Sequence, residues 1–149
     1  MVSLNQIKQL REETAISLSE CKKALEETNG DIQKAKEILK KRGKDLSNKK
    51  AGRGTEQGIV ASYIHSNKKI GVLLELNCES DFVAKNNDFQ KLAHELCLQI
   101  TAMNCDDVKS LLEQLWIKDS TKTIEGLINE EIVKLGENIV IKRFVRYEI

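Results

Sequence analysis

Few side chains in this sequence could bind a metal ion or act as a sulfur or imidazole nucleophile. The 149 residues include four cysteines and two histidines, namely Cys21, Cys78, Cys97, Cys105, His65 and His94. A structural zinc site needs four converging ligands, and its cysteines usually stand two to four residues apart, which no two of these do. No nucleophile and base stand at motif spacing either. We therefore expect no metal, no cofactor and no enzymatic activity.

A different kind of chemistry is predicted at Asp81 and Phe82, where a carboxylate stands beside an aromatic ring. The apolar run from Ile70 to Cys78 precedes them and predicts a buried strand, and a helix is expected to begin near Asp88. An aromatic residue at such a strand-to-helix corner either folds back into its own core or is held outward for a partner protein. The residues alone leave both alternatives open, and the function depends on which one holds.

Composition excludes several classes of protein. Lys and Arg together number 24 against 23 Asp and Glu, whereas a general nucleic-acid binder has a clear basic excess. No apolar run approaches the length of a membrane span, and the N-terminus lacks the features of a signal peptide. The cysteines do not form the pattern of a secreted disulfide framework, so a reducing compartment is expected. We expect neither nucleic acid nor membrane as a partner.

The first part of the chain predicts three short helices over residues 1–43, followed by a charged, apolar-poor linker over residues 44–57. Ser3 with Gln6 and Ser17 with Glu20 are spaced as capping boxes at the starts of the first two helices. Asn29 and Gly30 predict a turn before the third, and Gly43 predicts its end. This pattern is typical of a very small helical bundle with a thin core.

Residues 58–149 predict a core that combines strands and helices. A β-hairpin of Ile59–His65 and Ile70–Cys78 is expected first, and then helices over 88–103, 108–114 and 123–135, the last ended by Gly136. Residues 116–122 are expected to be a loop. A last strand follows, with one apolar face made of Ile139, Ile141, Val145, Tyr147 and Ile149. The predicted fold is α+β: an N-terminal three-helix bundle, then a three-stranded antiparallel sheet with packed helices.

Three motifs in this order resemble the elongation factor Ts family. The first combines Leu10–Thr14, Cys21–Glu26 and Asn29–Asp31, the second combines Tyr63–His65, Ile70–Leu73 and Asn77–Asn86, and the third combines Trp116–Asp119 and Leu135–Phe144. The resemblance implies a ubiquitin-associated-like domain at 1–43, a linker at 44–57 and a core domain at 58–149. It also implies guanine nucleotide exchange on a partner, elongation factor Tu, in a bacterial cytoplasm or in an organelle with bacterial-type translation.

The resemblance also implies which residues contact that partner. Asp81 and Phe82, with Val83 next to them, would intrude between two helices of the GTPase domain and loosen its magnesium and phosphate site. Leu135 and Gly136 match an apolar contact at the same domain. Lys22 and Leu18, in the small bundle, match a basic and an apolar contact, and His65 matches a position associated with partner contact in longer relatives.

The sequence departs from the family pattern in ways that bear on function. The turn Ala15–Glu20 has no glycine, and the segment before Trp116 is shorter than in most relatives. The chain resembles a short form with one half of the core, so a homodimer is expected to supply further contacts, with the apolar face of the last strand as the seam. The alternative function is a non-catalytic adaptor that binds a protein through the helical bundle and gives Asp81 and Phe82 no role.

Overall fold

The computed structural model describes residues 2–14 and 16–149. The chain folds into two compact units, one up to Lys49 and the other from Lys50 to Ile149. The first unit is helical, and the second has a three-stranded antiparallel sheet with helices. The predicted α+β class is therefore confirmed.

The first unit contains helices α1 (Leu4–Thr14), α2 (Leu18–Glu27) and α3 (Ile32–Lys50). The capping box at α1 is present, since the Ser3 hydroxyl accepts from the amide of Gln6 and the Gln6 side chain accepts from the amide of Ser3. The helices share a small apolar core of Ile7, Leu10, Cys21, Ala24, Leu25, Ala35 and Leu39. Ala15, the first residue of the turn before α2, lies outside the described residues.

The third helix does not end at Gly43, as the glycine pattern had suggested, but continues to Lys50. Gly43 is not among the residues with positive φ, so it does not adopt the left-handed conformation that ends a helix. Its cost inside a helix is only about 1 kcal/mol relative to alanine. The expected linker over 44–57 is thus helical as far as Lys50, and residues 51–56 connect that helix to the first strand.

The sheet of the second unit has the order β1-β2-β5, formed by β1 (Gln57–Ile64), β2 (Ile70–Cys78) and β5 (Ile139–Glu148), all antiparallel. Side chains alternate along β2, since Val72, Leu74, Leu76 and Cys78 are all buried while Leu73 is exposed. Together with partly buried residues of β1, these side chains form the sheet's contribution to the core. The hairpin thus places the end of β2, and the corner after it, at one edge of the core.

The last strand differs from the prediction because its apolar face does not continue through its full length. A β-bulge at Lys142 shifts the register: Leu76 pairs with Ile141, whereas Glu75 pairs with Arg143. Ile139 and Ile141 are buried, but Val145, Tyr147 and Ile149 are exposed on the opposite face. The bulge also turns Arg146 toward the core side, where it donates to the carbonyls of Ile100 and Thr101 at the end of a helix.

Four helices accompany the sheet: α4 (Asp81–Ala84), α5 (Asn87–Ala102), α6 (Val108–Glu113) and α7 (Ile124–Leu135). The region expected as a loop at 116–122 is instead largely a small hairpin of β3 (Leu115–Trp116) and β4 (Asp119–Thr123). The buried side chain of Gln99 stabilises it, because it donates to the carbonyl of Leu115 and accepts from the amide of Ile117. Such a long-range amide bridge has no local signal in the sequence.

Candidate functional site

The corner after β2 is a single helical turn, α4, that presents its first two side chains, Asp81 and Phe82, to solvent and buries the next two. Ser80 is its N-cap, and its hydroxyl accepts from the amide of Val83 at 3.3 Å. Val83 and Ala84 are 4% and 2% exposed and belong to the core, whereas Phe82 is 83% exposed. Burial of the two following residues fixes the turn on the core, and Phe82 is thereby held outward.

Of the two alternatives for Phe82, burial in its own core or an outward position, the structure has the outward position. Phe89, seven residues later, is completely buried. Because an exposed aromatic ring loses the free energy that burial would provide, about 1.5–3 kcal/mol, its position is not explained by the stability of this fold. Val83 differs from the other predicted contact residues because it lies in the core and supports the corner from inside.

Asp81, beside Phe82, forms an ion pair with Lys85 one helical turn later. Its Oδ2 atom lies 2.7 Å from the Lys85 Nζ atom, and both side chains are more than half exposed. The hydrogen bond and the charge of Asp81 raise the pKa of Lys85 above its ordinary value. The pair is solvent-exposed and so contributes little to stability, but it places a charged rim next to the ring of Phe82.

The second predicted contact, Leu135 and Gly136, is the turn between α7 and β5. Gly136 has φ 79°, the left-handed conformation, and its amide donates to the carbonyl of Ile132, so it ends the helix as predicted. A Cβ atom there would meet only the Lys50 Nζ atom, at 3.9 Å. Leu135 is partly buried against the core. The glycine thus leaves an open stretch of backbone beside a half-exposed leucine.

A network of hydrogen bonds joins this turn to the corner that carries Phe82. One oxygen of Glu137 accepts from the amides of Glu79, at 3.1 Å, and Ser80, at 2.9 Å, and the other accepts from the Ser80 hydroxyl at 2.6 Å. In return, Glu79 accepts from the amide of Asn138 at 2.7 Å. The structure therefore brings Asp81–Phe82 and Leu135–Gly136 together at one edge of the core.

Reasoning from the sequence identified Ser80, Glu79 and Glu137 only as members of motifs and missed their connection. The serine had a usable signal, because a serine directly before the first residue of a helical turn, here Asp81, is a typical N-cap. Glu137 lies 57 residues from Ser80 along the chain, and no local pattern predicts such a pairing. Asn138 is also buried, and its side chain donates to the carbonyls of Ala51 and Arg53.

The other predicted contact residues lie elsewhere. His65 is in the turn at the opposite end of β2, about 25 Å from the corner, given about 3.3 Å per residue of strand and the nine residues of β2. It lies 3.3 Å, Nδ1 to hydroxyl oxygen, from Tyr63. Lys22 and Leu18 both lie on α2 of the first unit, one turn apart, and are exposed. Residues four apart share a helix face, so these two form a single small surface.

Other features of the described residues add no second site. In residues 2–14 and 16–149, no three His, Cys, Asp or Glu side chains are grouped as metal ligands. Over the same residues, every helix falls short of the length or the apolar character that crossing a bilayer demands. Cys21, Cys78 and Cys97 are buried. Burial, followed by the charge of Glu137, raises the pKa of Cys78 to about 11, and it is an inert thiol at neutral pH.

Comparison with known proteins identifies the family. The model of the family described as "Elongation factor TS" matches residues 79–149, a range that begins at Glu79 and includes both the corner and the Leu135–Gly136 turn. A protein named elongation factor Ts from Syntrophomonas wolfei is 40% identical, with all of this chain and 91% of the relative aligned. The chain belongs to the elongation factor Ts family.

Two further members of the elongation factor Ts family show how complete the similarity is. The protein of that name from Coprothermobacter proteolyticus is 41% identical over 99% of this chain and 98% of its own length. The one from Thermotoga maritima is 42% identical over 99% of this chain and 96% of its own length. The Syntrophomonas alignment runs over 194 positions, more than the 149 residues of this chain, so that relative has residues with no counterpart here.

Proposed function

We propose that this protein is a guanine nucleotide exchange factor for elongation factor Tu and that Phe82 is the residue that drives nucleotide release. One observation carries the proposal, namely the 83% exposure of Phe82 on a turn whose next two residues are buried. Membership of the elongation factor Ts family supports the role in translation elongation. The exchange factor catalyses no covalent reaction, and its work takes place where translation does, in a bacterial-type cytoplasm.

The proposed mechanism is differential binding. An exchange factor binds the nucleotide-free partner tightly and the nucleotide-bound partner weakly, so it expels nucleotide as nucleotide expels it. Phe82 inserts between two helices of the GTPase domain, and Asp81 holds the intruding corner at its rim. Displacement of those helices weakens the magnesium and phosphate contacts on which GDP binding depends. Each tenfold loss of nucleotide affinity requires about 1.4 kcal/mol of such differential contact.

The remaining contacts extend this interface. Leu135 and Gly136 lie beside the corner, and the absence of a side chain at Gly136 lets the backbone of the partner approach closely. Lys22 and Leu18 supply a separate contact from α2, where the exposed ammonium of Lys22 suits an acidic helix. His65, at the far end of the hairpin, would contact a different part of the partner.

A second copy of the chain is a further proposed partner. The bulge in β5 places Val145 and Tyr147 on the outer face of the sheet, in the same rows as Leu73 and Gly71 of β2, and Leu73 and Tyr147 are 50% and 75% exposed. This outer face replaces the seam predicted from the strand pattern. Substitution of Leu73 by Glu should abolish pairing in light scattering at working concentration, and a wild-type chain that is monomeric throughout would exclude it.

The test of the proposed function is the release of fluorescently labelled GDP from purified elongation factor Tu. The wild-type chain, in amounts far below those of the partner, should accelerate release, because a factor expelled by incoming nucleotide acts repeatedly. The adaptor alternative predicts binding without acceleration. Comparable binding with an unchanged release rate would therefore favour the adaptor and rule out exchange.

A further inference from the structure

We propose that Glu137 is a positioning residue for exchange, which acts by holding Phe82 in its outward position. The proposal rests on the proposed function, because it concerns how the same corner is oriented. Glu137 immediately follows the Leu135–Gly136 turn, yet its carboxylate reaches across to the segment before Phe82. It is therefore the direct link between two stretches of the proposed interface that lie far apart in the chain.

Glu137 accepts three hydrogen bonds from the segment that precedes Phe82. Both carboxylate oxygens are used, one by the amides of Glu79 and Ser80 and the other by the Ser80 hydroxyl. Hydrogen bonds to an ionised carboxylate are about twice as strong as those between neutral groups. The two amides belong to the residues where β2 ends, so Glu137 fixes the direction in which the chain leaves the strand.

The Ser80 hydroxyl transmits this constraint to the turn that carries Phe82. It donates to Glu137 and at the same time accepts from the amide of Val83, the residue after Phe82. With its donor role assigned to Glu137, the hydroxyl is oriented with a lone pair toward that amide. The hydrogen bonds that run from Glu137 through Ser80 to Val83 thus hold the chain on both sides of Phe82, and none of them involves its ring.

If Glu137 had only a structural role, its hydrogen bonds to Glu79 and Ser80 would not be required at the corner of Phe82. The core beneath the corner is already closed by Val83 and Ala84. The reciprocal bond from the amide of Asn138 to Glu79 ties the same two segments a second time. We infer that the carboxylates of Glu137 and Glu79 together restrict the conformation of the corner, so that the ring of Phe82 meets its partner without prior rearrangement.

The test is a double-mutant cycle of Glu137→Ala and Phe82→Ala, read out as labelled GDP release from elongation factor Tu across a range of factor concentrations. Glu137→Ala alone should lower the maximum release rate about tenfold, the factor that matches loss of one charged hydrogen bond. In the Phe82→Ala background it should have almost no further effect, because a residue that acts through Phe82 has nothing left to position. Circular dichroism and thermal melts establish that each variant is folded.

Two further variants keep the test decisive if Glu137→Ala folds poorly. Glu137→Gln retains an oxygen for both amides, and its amide group can donate to the Ser80 hydroxyl, so it should restore most of the rate. Ser80→Ala, which leaves the two amide bonds in place, should lower the maximum rate. Glu125→Ala, which removes an exposed carboxylate from α7, the helix that precedes Glu137, is the matched control and should leave the rate unchanged.

The outcomes separate this proposal from the proposed function. If the wild-type chain fails to accelerate release, the proposed function itself fails. If the wild type accelerates release and Phe82→Ala does not, but Glu137→Ala matches the wild type, only the positioning role is overturned. It is overturned equally if Glu137→Ala lowers the rate by the same factor with and without Phe82, since the two residues would then act independently.

Discussion

Replacement of Phe82 by alanine should separate stability from function more cleanly than any other substitution in this chain. Phe82 is 83% exposed, so less than a fifth of its surface contributes to the fold. Full burial of a phenylalanine side chain provides about 1.5–3 kcal/mol, and the corresponding fraction is roughly 0.5 kcal/mol or less. Phe82→Ala should therefore leave the thermal unfolding midpoint almost unchanged.

The effect on exchange should be much larger. If the exposed part of the ring is buried against nucleotide-free elongation factor Tu, truncation loses roughly 1–2.5 kcal/mol of differential contact. That free energy corresponds to a decrease of about fivefold to sixtyfold in the rate of GDP release. The rate is measured by stopped-flow fluorescence of labelled GDP at several concentrations of the factor, so that the maximum rate is obtained separately from the half-saturating concentration.

Two control variants make the Phe82→Ala result interpretable. Phe89→Ala removes a completely buried ring and should lower stability by about 3–5 kcal/mol. Leu115→Ala shortens another exposed apolar side chain, 57% accessible and outside the corner, and should affect neither property. The reasoning is refuted if Phe82→Ala releases GDP at the wild-type rate, or if it destabilises the chain as much as Phe89→Ala does.

Three further predictions concern stability and thiol chemistry. Gly136→Ala should destabilise the chain by roughly 1–2 kcal/mol in urea unfolding, because the cost comes from the left-handed backbone and not from a clash; equal stability would contradict this. Burial raises the pKa of Glu131. The native state therefore keeps this proton to a higher pH than the unfolded state does, and the free energy of unfolding decreases as the pH rises above the pKa of the unfolded state. Glu131→Gln should raise the melting temperature at pH 7, with a smaller gain at pH 4. Burial raises the pKa of all four thiols, to about 11 for Cys78 and Cys97. Because Cys105 is partly exposed and the other three are buried, Cys105 should react first with a thiol reagent at pH 8; fast reaction of all four cysteines without denaturant would disagree.

Local patterns in the sequence predicted the elements of this fold that local forces determine. The apolar run from Ile70 to Cys78 located β2 as a buried strand, with the bounds that the structure has. Gly136 marked the end of α7, because glycine adopts the left-handed conformation at little cost. The corner at Phe82 could be located in the same way, but its outward orientation depended on whether Val83 or Phe82 entered the core.

The features that were missed depend on contacts between distant parts of the chain. The bulge at Lys142 has no signature in a strand whose residues alternate, yet it reverses the face of everything after it. It allows Arg143 to pair with Glu75 at 2.9 Å outside the core, and it directs Arg146 to the end of α5. Continuation of α3 past Gly43 likewise shows that a glycine ends a helix only when it adopts positive φ.

The connection between Glu137 and Ser80 has a physical consequence for any protein that works as a wedge. Separation of two packed helices requires force, and a corner that bends as easily as the helices move would deform instead of displacing them. Here the corner is closed from below by buried Val83 and Ala84 and held from the side by three hydrogen bonds to one carboxylate. Because this ordering is completed when the chain folds, little conformational entropy remains to be lost on binding. If Phe82 is buried against elongation factor Tu, as proposed, the free energy of that burial is then available to oppose nucleotide binding, which is the requirement for exchange.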